Sequence, residues 1–172
     1  MIKEIITCRI SKGKQLIIAL DRTQGQENNL LMVSAIYQKR AFPIFWILLP
    51  KKGASNLREQ QSVLRPVFKL FKTHKIVIIG DREFHSVDLA QWIHAQGVKF
   101  VLRQKKDTSF RQKTQKFQGL STLKIAPGQR QFFSKINITQ KKGFGRFNLA
   151  VYGKRKSKGK LEKTPWYLLT GV

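Results

Sequence analysis

The stretch Lys75–Arg103 limits the possible folds of this chain more than any other, because it combines two strand patterns, a turn and a helix pattern. The β-branched run Ile76–Ile79 predicts a strand that is buried on both faces. The apolar period then becomes helical, and Gly97 is well placed to end the helix before β character resumes. The pattern predicts a β-α-β unit with Asp81 at the carboxyl end of its first strand, where α/β sheets bind ligands.

A second strand pattern, Gln15–Leu20, leads into the same kind of turn. It predicts another buried strand, and Asp21-Arg22 follows it as Asp81-Arg82 follows the first one. If the two strands are adjacent in one sheet, the two aspartates become neighbours. Paired carboxylates suit magnesium, and two-metal sites of this kind support phosphoryl transfer on a nucleic-acid backbone.

The remaining patterns of the first half complete the order β-β-β-α-β-α-β up to Arg103. Two apolar runs, 30–38 and 41–49, predict an antiparallel extension of the first strand. A helix follows, with Ser55 as its predicted N-cap and an end near residue 71. Pro66 lies inside this helix pattern and is expected to kink or split it.

The charge balance predicts a polyanionic partner. The chain carries 34 Lys and Arg against 9 Asp and Glu, a formal net charge of +25, far more than solubility requires. Nucleic acid is the leading partner. An anionic membrane surface is a rival, but the basic residues spread through strand-like segments and form no amphipathic helix face. RNA binding of the ribosomal type also stays open.

The second half is more basic than the first and shows almost no helical period. We predict two units, a core at 1–104 and a basic β-rich subdomain with a return strand at 105–172. The run 153–160 is predicted to be a loop whose Lys154, Arg155 and Lys156 contact phosphates. Strands are predicted at 120–125, 131–139, 144–152 and 166–170.

Other residues indicate the compartment. The lone Cys8 excludes an internal disulfide and a cysteine-based zinc cluster, which fits a reducing cytosol. No apolar run approaches the roughly 20 residues of a membrane span, and residues 1–10 lack the apolar region of a signal peptide. We therefore expect a cytoplasmic, nucleoid-associated protein without a membrane partner.

Four segments resemble the DDE transposases of bacterial insertion sequences. They are Leu20–Thr23, Gly80–Phe84, Phe100–Arg103 and Trp166–Thr170, and they span nearly the whole chain. The resemblance implies an α/β fold, a ribonuclease H-like mixed sheet with flanking helices followed by a β-rich insertion. It also implies that Asp21 and Asp81 are the first two catalytic acids, which bind Mg²⁺ or Mn²⁺ to cut and join DNA at transposon ends.

The basic residues near these acids are candidates for contacts with transposon-end and target DNA. Arg22 and Arg82 either contact phosphates near the metals or neutralise the acids, and the sequence does not choose between these roles. Arg103 lies at the end of the second strand of the predicted β-α-β unit, and it is a candidate DNA contact. Lys105 and Lys106 extend this basic group.

The sequence departs from the family pattern at a third acid, a glutamate on a helix after the Trp166–Thr170 strand. Val172 ends the sequence before such a helix, and Glu162 precedes that strand, so we do not assign it this role. We also expect the N-terminal DNA-binding region of the family to be absent, which would make the chain a fragment truncated at both ends.

We expect a transposase fragment with weakened metal binding that is inactive alone, or that works as a homodimer or with a complementary fragment. The alternatives are a non-catalytic nucleic-acid-binding remnant, a regulator of the full-length enzyme, or a self-contained nuclease, which would need a further acid.

The other side chains that could belong to a site are predicted to have structural roles. Glu83 is interpreted as a helix N-terminal residue that the helix dipole favours, not as a metal ligand. His85 is predicted to be a surface helix residue. Trp46, Trp92 and Trp166 lie within apolar patterns and are predicted to pack in the core.

Overall fold

The computed structural model describes residue 4 and residues 13–25, 28–153 and 165–171. Within these residues, ten strands form one mixed sheet, and two α-helices have both ends described. The helices are α1 (Leu57–Leu70) and α2 (Val87–Ala95). The strands are β1 (Gln15–Gln24), β2 (Asn29–Tyr37), β3 (Arg40–Leu48), β4 (Lys75–Gly80), β5 (Lys99–Arg103), β6 (Ser109–Gln112), β7 (Gln118–Gly119), β8 (Arg130–Ile138), β9 (Phe144–Tyr152) and β10 (Trp166–Gly171).

The strand order across the sheet is β3-β2-β1-β4-β5-β10-β9-β8-β6-β7. Strands β1, β4 and β5 run parallel to one another, and the other neighbouring pairs are antiparallel. The predicted order β-β-β-α-β-α-β up to Arg103 is confirmed. The sheet continues without a break into the basic second half, because β10 pairs with both β5 and β9.

Strands β1 to β3 form the predicted antiparallel extension. Gln38 and Lys39 join β2 to β3 with φ of 47° and 65°, the left-handed conformations of a tight hairpin turn. β3 is an edge strand that contains Pro43, a residue that edge positions tolerate because it cannot donate a ladder hydrogen bond.

Helix α1 begins one residue later than the sequence suggests. Asn56, not Ser55, is its N-cap: the Asn56 side chain accepts from the Glu59 amide at 3.0 Å, and the Glu59 carboxylate accepts from the Asn56 amide at 2.7 Å. Both residues are good caps, and this reciprocal capping box decides between them. The helix runs unbroken through Pro66 to Leu70, so the predicted split does not occur.

Both helices cover the same face of the sheet. α1 packs on β2 and β3, α2 packs on β5 and β10, and the helices also contact each other. β4 lies between β1 and β5, and Ile76, Val77 and Ile78 are all buried, as predicted. β1 instead alternates: Leu20 is buried, whereas Ile17 on the other face is 37% exposed, so the prediction of a fully buried β1 is wrong.

The predicted core position of Trp46 is also wrong, since this residue is 53% exposed. It lies on the edge strand β3 and pairs with Met32, on the face that the helices do not cover. Trp92 does pack, stacking on Phe68 with ring centroids 5.6 Å apart. Trp166 is half-buried.

In the second half, β8, β9 and β10 confirm three predicted strands. The fourth prediction, a strand at 120–125, is wrong: Leu120–Thr122 forms a 3₁₀ turn, closed by the Leu123 amide bonding the Leu120 carbonyl. Two short strands are present in this region instead: β6 pairs with β7 on one side and with β8 on the other. Among the described residues, no helix is long and apolar enough to cross a membrane.

Candidate functional site

Asp21 and Asp81 lie next to each other where the parallel pairing of β1 with β4 ends. The predicted turn after Leu20 is wrong: β1 continues through Asp21 to Gln24, and Asp21 pairs with Met32 of β2. Asp81 directly follows the end of β4. Leu20 pairs with Gly80 in the last register position of these strands, and each aspartate follows directly. Leu20 is buried under the helices, and a β carbon built on Gly80 would lie 3.0 Å from the Leu102 and Phe84 side chains. Since side chains alternate along a strand, both aspartates belong to the face opposite these core contacts.

Each carboxylate is oriented by a nearby backbone amide. Asp21 Oδ1 accepts from the Arg22 amide, and Asp81 Oδ1 accepts from the Glu83 amide, both at 2.8 Å. Asp81 is thereby the N-cap of a 3₁₀ turn, Arg82–Phe84, and Phe84 anchors that turn with a fully buried ring. Both aspartates are exposed, so the two acids are fixed at their base and accessible to a ligand.

An ion pair joins strand β1, which carries Asp21, to the 3₁₀ turn that follows Asp81. Arg22 Nε donates to Glu83 Oε1 at 2.5 Å, and the two side chains are only 15% and 17% exposed. Arg22 Nη1 also donates to Gln24 Oε1 at 2.9 Å and to Asn29 Oδ1 at 3.0 Å. The hydrogen bond to Glu83 raises the pKa of Arg22 above its ordinary value, with smaller contributions from the charges of both aspartates, although desolvation opposes it.

These contacts change the interpretation of Glu83. It does lie in the first turn of a helical segment, but its side chain binds Arg22, 61 positions away, and comes within 3.5 Å of the Ser55 hydroxyl. The sequence analysis missed this pair. The only sign of this pair in the sequence is that two residues of opposite charge, Arg22 and Glu83, closely follow the two aspartates. That they meet depends on the register of β1 against β4.

The donor set at this edge suits a hard divalent cation, because carboxylate oxygens are the ligands that Mg²⁺ prefers. Within the described residues, no group of three or more His, Cys, Asp and Glu side chains is arranged to hold a metal. Two carboxylates are still compatible with magnesium, which proteins commonly bind through one or two carboxylates plus substrate phosphates.

Four of the predicted DNA-contact residues line one cavity. This cavity, of about 450 Å³, lies where β5 ends, next to the turn that carries Asp81. Among the described lining residues, Asp107 is the one acid. Lys154, Arg155 and Lys156 lie outside the described residues, and Arg22 contributes to the ion pair described above. The lining residues are Arg82, Arg103, Gln104, Lys105, Lys106, Asp107, Pro165 and Tyr167.

Two uncharged residues of this wall were not singled out by the sequence. Gln104 is 1% exposed, and its Oε1 has no hydrogen-bond partner among the described residues. Burial raises the pKa of the Tyr167 phenol above its ordinary value. The Arg103 guanidinium lies over the Trp166 ring, 4.6 Å from its centroid.

His85 is partly exposed, and it lies at the end of the 3₁₀ turn and not in the helix as predicted. Its ring Nδ1 lies 2.9 Å from the Arg82 carbonyl oxygen. The ring therefore packs against the backbone of the turn that carries Asp81.

Comparison with known proteins places this geometry in context. Residues 13–166 match the family described as "Transposase DDE domain". The fold is similar to that of piggyBac transposase, solved as a synaptic complex with hairpin DNA, with a TM-score of 0.51, 15% identity, and coverage of 93% of this chain and 33% of that one. This chain therefore spans about a third of that protein's length.

A weaker likeness, to Marinitoga piezophila Argonaute in complex with 5′ OH guide RNA and target DNA, has a TM-score of 0.37 and 10% identity and covers 94% of this chain and 23% of that one. No curated protein sequence matches the chain.

Proposed function

This chain belongs to the transposase DDE domain family, and on that premise we propose that it carries the metal-binding and DNA-binding core of a transposase. Its role lies in DNA transposition. The observation that carries the proposal is the placement of Asp21 and Asp81 side by side, directly after the paired residues Leu20 and Gly80.

The first five strands support a ribonuclease H-like core. Their order, β3-β2-β1-β4-β5, has an antiparallel extension on one side of β1 and parallel strands on the other. We propose that residues 1–104 form this core. The remaining strands would form the basic subdomain of residues 105–172, attached through the β5–β10 pairing.

We assign the metal site to Asp21 and Asp81. Members of the family generally use divalent metal ions, and the exposed oxygen donors of this edge fit Mg²⁺ or Mn²⁺. When bound, such ions activate an attacking oxygen and stabilise a leaving oxygen in phosphoryl transfer. The chain itself fixes each aspartate with a backbone amide and holds β1 and the turn after Asp81 together through Arg22 and Glu83.

The basic cavity is the proposed path of the DNA strand past the two acids. Arg82, Arg103, Lys105 and Lys106 would bind its phosphates, since arginine and lysine side chains supply most phosphate contacts in protein–DNA interfaces. Arg22 has a different proposed role: its guanidinium is engaged by Glu83, Gln24 and Asn29 and positions the acids. A second copy of this chain in a homodimer, or a complementary transposase fragment, would supply any further ligand.

A non-catalytic DNA-binding regulator is the second candidate. The observation in its favour is that the described residues contain no group of three or more His, Cys, Asp and Glu side chains arranged to hold a metal, since the nearby Glu83 is engaged by Arg22. In that case the basic surface binds DNA while the acid pair stays without catalytic use.

Calorimetry with Mn²⁺ separates these functions. We expect the wild-type chain to bind Mn²⁺ and Asp81→Asn to lose that binding, because the substitution removes one of two charged ligands. Asp88→Asn is the matched control, since Asp88 is engaged with Lys142 at 2.8 Å instead. Equal Mn²⁺ binding by wild type and Asp81→Asn would overturn the metal site and leave the non-catalytic function.

A further inference from the structure

Strand pairing aligns two rows of side chains on one face of the second half of the sheet. Residues that pair directly across strands lie on the same face, and so do residues two apart in one strand. The first row runs over β5, β10, β9 and β8, and the second over β10, β9 and β8. The rows are Arg103, Leu168, Ala150, Phe132 and Trp166, Tyr152, Arg130.

Arginine and aromatic side chains interleave along these rows. The Arg103 guanidinium lies 4.6 Å from the Trp166 ring centroid, and the Arg130 guanidinium lies 5.7 Å from that of Tyr152. Phe132 extends the series and is 64% exposed. We call these five residues the aromatic–arginine face.

This face starts beside the acid pair. Gly80 of β4 pairs with Leu20 of β1 on one side and with Leu102 of β5 on the other. Asp21, Asp81 and Arg103 each come directly after one of these paired residues, so they lie side by side across the three strands. Leu102 and Leu20 are buried on the helix-covered side, which assigns the acids and the aromatic–arginine face to the other side. From β4 to β8 the sheet advances four strands, roughly 19 Å at the usual spacing, enough for several nucleotides.

The chemistry of this face matches an unpaired DNA strand. Aromatic rings stack on bases without regard to sequence, and arginines contribute phosphate contacts and cation–π interactions. Phe132 is the exposed ring of this face, whereas Trp166 and Tyr152 are half-buried and each lies against an arginine. A duplex hides its base faces within its own stack, so it can use only the arginines. The net charge of +25 complements a polyanion and disfavours a basic or neutral partner.

We propose that the aromatic–arginine face binds single-stranded DNA next to the acid pair, with bases stacked on its rings. The inference rests on the proposed function for the choice of DNA as the nucleic acid. It adds the form of DNA that is bound: a strand unpaired beside the site of metal binding.

Fluorescence anisotropy with a labelled oligothymidylate of about 16 nucleotides tests this. Phe132→Ala is the informative variant, because so exposed a ring contributes little to folding. Phe42→Ala is the matched control, a 40% exposed ring on the distant edge strand β3. We expect Phe132→Ala to weaken binding of the single strand by about fivefold or more and Phe42→Ala to leave it unchanged.

Two further probes identify the ligand. A blunt duplex should bind wild type and Phe132→Ala equally, and an abasic version of the single strand should lose the difference between them. Equal binding of the oligothymidylate by Phe132→Ala and Phe42→Ala would overturn the proposal. Tighter binding of the matching RNA would overturn the assignment to DNA.

Failure of the proposed function is a separate result. If Mn²⁺ binding survives Asp81→Asn while the single strand still depends on Phe132, the metal site is refuted and the aromatic–arginine face stands.

Discussion

At the scale of single residues, the geometry of the site depends on the Arg22–Glu83 ion pair. Asp21 lies in β1 and Asp81 directly follows β4, and the hydrogen bonds to their carboxylates come from the amides of Arg22 and Glu83. Since the side chains of these same two residues bind each other, the pair couples β1 to the turn after Asp81.

Glu83→Gln should destabilise the protein by about 1–3 kcal/mol, because it leaves the mostly buried Arg22 guanidinium without its charged partner. Urea unfolding measures the change. The control is Asp88→Asn, which breaks a pair whose side chains are 48% and 35% exposed and should cost less than about 1 kcal/mol. Equal costs for the two substitutions would contradict the role of the Arg22–Glu83 pair.

Gly80→Ala should destabilise the turn before Asp81. The added methyl group would lie 3.0 Å from both Leu102 Cδ2 and Phe84 Cβ, and overpacking of this kind costs about 1–3 kcal/mol. Gly25→Ala is the control, since its methyl group would meet only the Asn28 carbonyl oxygen at 3.8 Å. Unfolding midpoints in urea would show the difference, and a Gly80→Ala variant as stable as Gly25→Ala would be inconsistent with the observed packing.

At the scale of elements, helix α1 depends on its capping box, and the Glu59 carboxylate of that box should make the free energy of unfolding depend on pH. Desolvation pulls the pKa of Glu59 up, but the hydrogen bond from the Asn56 amide and the contacts with Lys51 together leave it below its ordinary value. A carboxyl with a lowered pKa stabilises the folded state above its ordinary pKa. That contribution disappears as the pH falls through the folded-state pKa.

Glu59→Gln should therefore destabilise the protein at neutral pH and lose this effect in acid. The difference from wild type should shrink as the pH falls below 4.5, the ordinary value for this group. Urea unfolding at a series of pH values measures it. A difference that stays constant across the series would show that the Glu59 charge contributes nothing to the cap.

At the scale of the whole molecule, the excess of positive charge determines how DNA binding responds to salt. Binding through Lys and Arg releases counterions from DNA, so the logarithm of affinity falls linearly with the logarithm of salt concentration. The net charge of +25 predicts a steep slope. A slope near zero would remove the basic surface as a DNA interface.

Lys105→Ala and Lys106→Ala should each reduce that slope by about one, because both lysines line the cavity beside Asp81. Lys72→Ala is the control. This exposed lysine lies after α1, near the start of β4, at the opposite end of that strand from Asp81. Duplex binding measured over a range of salt concentrations gives the slopes, and equal slopes for all variants would exclude the cavity from the interface.

Local sequence patterns determined most of the elements of this protein. The β-branched run of β4, the helical period of α2 and its end at Gly97, with φ of 69°, follow from sterics within a few residues. The same holds for the hairpin of β2 and β3. The two strand-Asp patterns also predicted that Asp21 and Asp81 are neighbours if their strands are adjacent, and the structure has these strands paired.

Long-range packing decided the rest. Trp46 is exposed because it lies on an edge strand and on the uncovered face of the sheet, which its apolar neighbours in sequence cannot reveal. The Arg22–Glu83 pair joins residues 61 positions apart, and the aromatic–arginine face depends on the register of four strands. Sequence patterns report the conformation of one segment, whereas cross-strand register and helix placement depend on how distant segments share a core.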